Sequence, residues 1–138
     1  MRILIADDNA LVRKALHQLF EEQKGWRVCC EAQDGYEAVE RAKQSRPDLV
    51  VLDLAMPHLS GLQAAARISR LLPATPMIML TLYDSALVQA EAKKVGILRV
   101  IPKTDGDSLI ATVKSLLQQM PVLDVKIAKA PTEMKSNF

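Results

Sequence analysis

Cysteine is scarce: the chain has two, and they are neighbours, Cys29 and Cys30. Neighbouring residues on a strand point to opposite faces, so an ordinary disulfide between them is poor geometry, and both read as free, buried or half-buried thiols. Neither has a His or Cys at zinc-ligand spacing, which excludes a zinc-stabilised fold of the finger type. No apolar run approaches the ~20 residues that span a bilayer. The opening Met1-Arg2-Ile3-Leu4-Ile5-Ala6 reaches acid at Asp7, too soon for a signal peptide, so a cytoplasmic protein with no membrane contact is expected. Net charge is +2, too small to imply a nucleic-acid partner. There is no glycine-rich phosphate loop of the P-loop or dinucleotide type.

Short apolar runs are present instead, alternating with amphipathic stretches. Five runs read as strands: Arg2 to Asp7, Trp26 to Ala32, Leu49 to Asp53, Met77 to Thr81 and Arg99 to Pro102. Between them, 3-4 spacing predicts helices. Asn9 caps the first, which carries Val12, Ala15, Leu16, Leu19 and Phe20 on one face and stops at Gly25. Asp34-Gly35 is a turn before the second. The third runs from Gly61 to Leu72, and the fourth from a Ser85 cap to about Val95, ended by Gly96. The fifth opens at Asp107 or Ser108 and runs through Gln119.

This alternation predicts an α/β fold, a flavodoxin-like (βα)5 three-layer sandwich with a parallel sheet in the order 2-1-3-4-5. Pro102 cannot donate to a ladder and places strand five at an edge. The expected domain is residues 1–120. Residues 121–138, polar and Pro-containing, read as a tail or truncated linker. Nothing there forms a helix-turn-helix, so no DNA contact is assigned.

Parallel strands place their C-terminal ends on one edge, where α/β proteins keep their chemistry. Asp7 and Asp8 arrive there from strand one, Asp53 from strand three, Thr81 from strand four and Lys103 after strand five. Three carboxylates at ~4–6 Å repel by several kcal/mol, so something positive must hold them. Oxygen ligands with room for water suit Mg²⁺ or Mn²⁺, and Lys103 adds a mobile charge. A carboxylate flanked by metal, lysine and hydroxyl is equipped to accept a phosphoryl group.

Asp7-Asp8, Asp53 with Met56-Pro57 and Gly61, Thr81 and Lys103, in this order, resemble the receiver domain of two-component response regulators (CheY-like). The resemblance covers roughly residues 1–120. It implies a signalling protein rather than an enzyme, with Asp53 taking phosphate from a sensor histidine kinase or phosphotransfer protein. It implies Mg²⁺ held by Asp8, Asp53 and the backbone carbonyl of Ala55, with Asp7 assisting through water. Thr81 and Lys103 would contact the phosphoryl group and shift the face of helix four, strand five and helix five, with a second copy of the chain among the candidate partners for that face. Ala55 and Tyr83 would flank the path of the hydrolytic water. The sequence departs from the family at Val100, where an aromatic ring is usual, and at Leu82, where a small residue is usual and a leucine crowds the path of Thr81. Pro102 precedes the lysine, where many receivers have proline after it.

Two rival readings remain. An aspartate-nucleophile phosphatase of the haloacid dehalogenase type uses the same groups, but needs an acid two residues after the nucleophile; that place is Ala55 after Asp53 and Ala10 after Asp8. A receiver-fold binding module without a phosphorylation-driven switch is the other. His58 reads as a solvated loop residue, His17 as a half-exposed helix residue, and Trp26 and Phe20 as core or a helix–strand staple.

Overall fold

A computed structural model describes residues 1–124 of the chain. Five strands and five helices alternate: β1 Arg2–Ala6, α1 Ala10–Glu21, β2 Arg27–Ala32, α2 Gly35–Ser45, β3 Leu49–Asp53, α3 Gly61–Leu71, β4 Met77–Thr81, α4 Ala86–Lys94, β5 Arg99–Pro102 and α5 Gly106–Asp124. All strand pairs are parallel and the order is β2-β1-β3-β4-β5, the flavodoxin-like arrangement the alternation predicts. The Pro102 strand lies at one edge and β2, less apolar than the central strands, at the other.

Every residue of β3 and β4 is buried, which is why both are apolar without alternation. One face of the sheet carries Leu4, Ala6, Val50, Leu52, Met77 and Met79, packed with Ala38 and Ala42 of α2 and Ala64, Ala65 and Ile68 of α3. Alanines on these helices let α2 and α3 lie close to the sheet and to each other. The other face carries Ile3, Ile5, Val51 and Ile78; α1, which contributes buried Leu16 and Phe20, packs on β1 and β2.

Local chemistry sets the helix starts. The Asn9 side chain accepts from the Leu11 and Val12 amides, and the Ser85 hydroxyl accepts from the Val88 amide, both as expected caps. Ser60 and Gln63 form a capping box at α3. Asp34-Gly35, expected as a turn, is instead the cap and first residue of α2. A side chain on Gly35 would collide with the backbone carbonyl of Leu59, so glycine is required for the start of α2 to approach the β3–α3 loop.

Two further local expectations change. Alternation predicts the Cys29 and Cys30 side chains on opposite faces. The β1–β2 register pairs Ile3 with Val28 and Leu4 with Cys30, so Cys29 is an extra residue in a bulge, and the two sulfurs stand 3.4 Å apart. They are free thiols, half-buried. Helix α5 is expected to end at Gln119 but runs to Asp124, past Pro121. The proline removes the amide that would pair with the Leu117 carbonyl, so the helix continues past it with one hydrogen bond fewer. Residues 121–124 therefore continue α5; the rest of the expected tail lies outside the described residues. Among the described residues no helix is long and apolar enough to cross a membrane.

Candidate phosphoryl-transfer site

The parallel sheet brings the predicted acids together at its C-terminal edge. Asp7 follows β1 directly, its amide donating to the Ala32 carbonyl of β2 at 3.0 Å. Asp53 is the last residue of β3, and Lys103 follows β5, with its amide on the Thr81 carbonyl at 2.9 Å. Side-chain oxygens of Asp7, Asp8 and Asp53 all lie within 4.8 Å of one another. Asp7 is fully buried and Asp53 is 4% exposed, whereas Asp8 is exposed.

Lys103 bridges the two buried acids, Nζ lying 2.8 Å from Asp7 Oδ2 and 3.4 Å from Asp53 Oδ2. Beyond that ionic contact, Asp7 Oδ2 has no hydrogen-bond partner. Burial pushes the Asp53 carboxyl above its usual range, and the neighbouring Asp7 charge adds to the rise; Lys103 and the Ala55 amide offset part of it. For Lys103, burial pulls the ammonium down, but the Asp7 and Asp53 carboxylates outweigh it and the net direction is up. The site thus holds more negative charge than one lysine neutralises. A cluster of three carboxylates whose charge one lysine does not balance fits a hard divalent cation such as Mg²⁺ or Mn²⁺.

Thr81 is 3% exposed at the end of β4. Its hydroxyl is turned into its own loop, donating to the Tyr83 carbonyl at 3.2 Å and accepting from the Tyr83 amide at 3.0 Å. Leu82 and Tyr83 are 63% and 81% exposed, so the Leu82 side chain extends to solvent rather than crowding Thr81. Ala55 and His58 are exposed in the loop after β3, His58 at φ +68°. Val100 is half-buried and packs against the core where the family usually places a ring.

One positioning residue escapes the linear pattern. Arg13 of α1 donates from Nη1 to the Asp7 backbone carbonyl at 2.7 Å and from Nε to Glu31 at 3.2 Å, so it ties the acid-bearing loop to β2. No spacing signal marks it, because its partners come from other elements. Gly61, the expected start of the third helix and part of the family pattern, has a sharper role than either reading gives it. Its amide donates to the Leu54 carbonyl at 2.9 Å, and a Cβ there would fall 2.1 Å from the Asp53 backbone oxygen. Only glycine lets α3 start this close to the strand end that carries Asp53.

Comparison with known proteins agrees with this geometry. The family model described as the response regulator receiver domain matches residues 3–129. The oxygen regulatory protein NreC of Staphylococcus epidermidis is 36% identical over 129 residues, covering 92% of this chain and 59% of its own length. A protein-glutamate methylesterase/protein-glutamine glutaminase of Pyrococcus abyssi is 33% identical over 133 residues, 95% of this chain and 36% of that protein. The chain thus spans about half, or less, of the length of these relatives. Among solved structures, the response regulator domain of Thermotoga maritima CheB superposes with a TM-score of 0.77 at 28% identity, covering 83% of this chain and 94% of that one. The CheX-CheY-BeF3-Mg²⁺ complex of Borrelia burgdorferi gives 0.80 at 27% identity, covering 85% and 89%. With a family model spanning nearly the whole chain and a sheet edge that assembles the family's acids and lysine, the protein belongs to the response regulator receiver domains of two-component systems.

Proposed function

We propose that the chain is a phosphorylation-dependent switch with Asp53 as its phospho-acceptor, charged by a sensor histidine kinase or phosphotransfer protein. The observation that carries this reading is the Lys103 ammonium suspended between two buried carboxylates at the sheet edge. An Asp53 oxygen attacks phosphorus in line; the phosphorus–nitrogen bond of the donor phosphohistidine breaks, and its electron pair leaves with the imidazole. Lys103 keeps Asp7 and moves its remaining charge from Asp53 Oδ2 to a phosphoryl oxygen. The Thr81 hydroxyl exchanges its Tyr83 backbone bonds for another. Asp8, Asp53 and the Ala55 backbone carbonyl, with Asp7 through water, would hold Mg²⁺, which when bound supplies positive charge opposite the phosphoryl oxygens.

The Thr81 movement pulls on the exposed Leu82–Tyr83 loop that leads into α4. With Val100 in place of a ring, this loop is the route by which the site reaches the α4 and β5 surface. That surface takes an output partner or a second copy of the chain. A phosphatase of the haloacid dehalogenase type is disfavoured by Ala55, which offers no general acid. Support for the metal and phosphoryl roles comes from the Borrelia burgdorferi CheY neighbour, whose complex contains BeF3 and Mg²⁺.

The test is acetyl phosphate with Mg²⁺, read by intact mass and by size-exclusion elution before and after. Wild type should gain one phosphoryl group that is lost on alkaline treatment, and Asp53→Asn should gain none. Equal labelling of Asp53→Asn and wild type overturns the assignment.

A further inference from the structure

Outside the phosphoryl site, the most unusual side-chain arrangement is the pair of adjacent thiols on the edge strand β2. We propose that Cys29 and Cys30 form a chelating dithiol site for a thiophilic trivalent ion of the arsenic(III) class, created by the bulge in β2.

On a regular strand the two sulfurs point apart. The register slip between Ile3 and Leu4 leaves Cys29 without an opposite residue and re-aims its side chain, so the sulfurs converge to 3.4 Å. Both residues are half-buried on an edge strand, so a small ligand reaches them. The Ser45 hydroxyl at the end of α2 lies 3.3 Å from Cys30 Sγ and 3.9 Å from Cys29 Sγ. It donates to the Arg41 carbonyl at 2.7 Å, which leaves its lone pairs facing the thiols and helps hold both rotamers.

The spacing selects the ligand class. A disulfide needs sulfurs about 2.05 Å apart and Cα atoms about 4.4–6.8 Å apart, and consecutive residues hold their Cα atoms at about 3.8 Å. Direct oxidation is therefore strained. With ligand–sulfur bonds of about 2.3 Å, a tetrahedral angle sets two sulfurs about 3.8 Å apart and a near-right angle sets them about 3.3 Å apart. The observed separation fits the second, the pyramidal geometry of trivalent arsenic, better than tetrahedral zinc. Thiolates suit such soft ions. Burial raises the Cys30 thiol above its ordinary value, so the pair meets the ligand as thiols that give up their protons on ligation rather than as preformed thiolates.

With a hydrated monosubstituted arsenical, each sulfur displaces one hydroxide. Two arsenic–oxygen bonds break and two arsenic–sulfur bonds form. Each thiol proton leaves with its hydroxide as water, and arsenic stays trivalent.

The probe is phenylarsine oxide added to the full chain. One phenylarsenic group per chain is expected by native mass, with both thiols lost to a colorimetric thiol reagent. Excess glutathione should leave the adduct in place, and a dithiol should remove it. Cys29→Ala and Cys30→Ala should each weaken binding at least about tenfold, because a chelate becomes a single bond. The adduct should also raise the melting temperature, because the folded bulge presents the pair ready-made and ligand that prefers the native state stabilises it. Removal by glutathione, wild-type affinity in either variant, or an unchanged or lowered melting temperature overturns the proposal. If a variant fails to fold by circular dichroism, the glutathione and melting measurements on wild type decide alone.

Discussion

Replacing Asp53 by Asn should make this protein more stable, although Asp53 is buried and ion-paired. At an effective dielectric of about 20, charges 4.8 Å apart repel by about 3.5 kcal/mol and charges 3.4 Å apart attract by about 4.9 kcal/mol. Asp53 meets Asp7 within the first distance and Lys103 at the second. Exposed Asp8 adds repulsion of about 1 kcal/mol at the dielectric of water. Attraction and repulsion nearly cancel, and burial of the ionised carboxylate then decides the sign, in agreement with the upward direction of its pKa. Lys103 is not orphaned by the change, because Asp7 stays at 2.8 Å. The expected gain is about 1–2 kcal/mol at pH 7 in a metal chelator, or roughly 4 °C in melting temperature per kcal/mol for a chain of this size. The pH dependence follows from linkage. A carboxyl whose folded pKa lies above its unfolded value binds its proton more tightly in the folded state. It favours folding below the unfolded value of 3.8, and that contribution is lost as pH rises through the folded pKa. The advantage of Asn should therefore be full at pH 7 and fade toward pH 3.5. Urea denaturation of both proteins across that range measures it. An Asn variant less stable than wild type at pH 7, or a gain that does not change with pH, refutes the electrostatic account.

Two further perturbations probe the parts that hold Asp53 in place. Gly61→Ala sets a methyl against the Asp53 backbone oxygen and should cost about 1–3 kcal/mol or more in urea denaturation, together with slower labelling by acetyl phosphate; wild-type stability and rate would show that the contact is relieved without moving β3. Lys103→Met keeps the stem and removes the charge, leaving Asp7 and Asp53 unpaired. Breaking a buried pair costs about 3–5 kcal/mol at neutral pH, and the loss should shrink in acid as one carboxyl protonates. In wild type, the raised Lys103 pKa means its contribution is intact below the unfolded value of 10.5 and is lost as pH climbs through the higher folded value. Melting curves from pH 9 to pH 11.5 check that direction, and an alkaline loss equal in Lys103→Met and wild type would contradict it.

The order of elements and the pairing of the sheet were written in the linear pattern of apolar runs and turn residues. Val50, Leu52, Met77 and Met79 lie on uninterrupted buried strands, and in a parallel sheet such runs end on one edge, so Asp7, Asp8, Asp53, Thr81 and Lys103 all arrive at that edge. What decided the details lies across elements, where linear spacing carries no signal. Arg13 reaches Asp7 and Glu31 from a third element. The Thr81 hydroxyl turns to the Tyr83 backbone, and the Leu82 side chain turns outward, because the β4–α4 loop offers local hydrogen bonds and open solvent. Gly61 matters through a carbonyl eight residues away along the chain, and Cys29 and Cys30 converge only because the pairing of β2 with β1 slips by one. Period and polarity fix which face a residue takes on average; register, close backbone approach and charge balance exist only once the strands have paired.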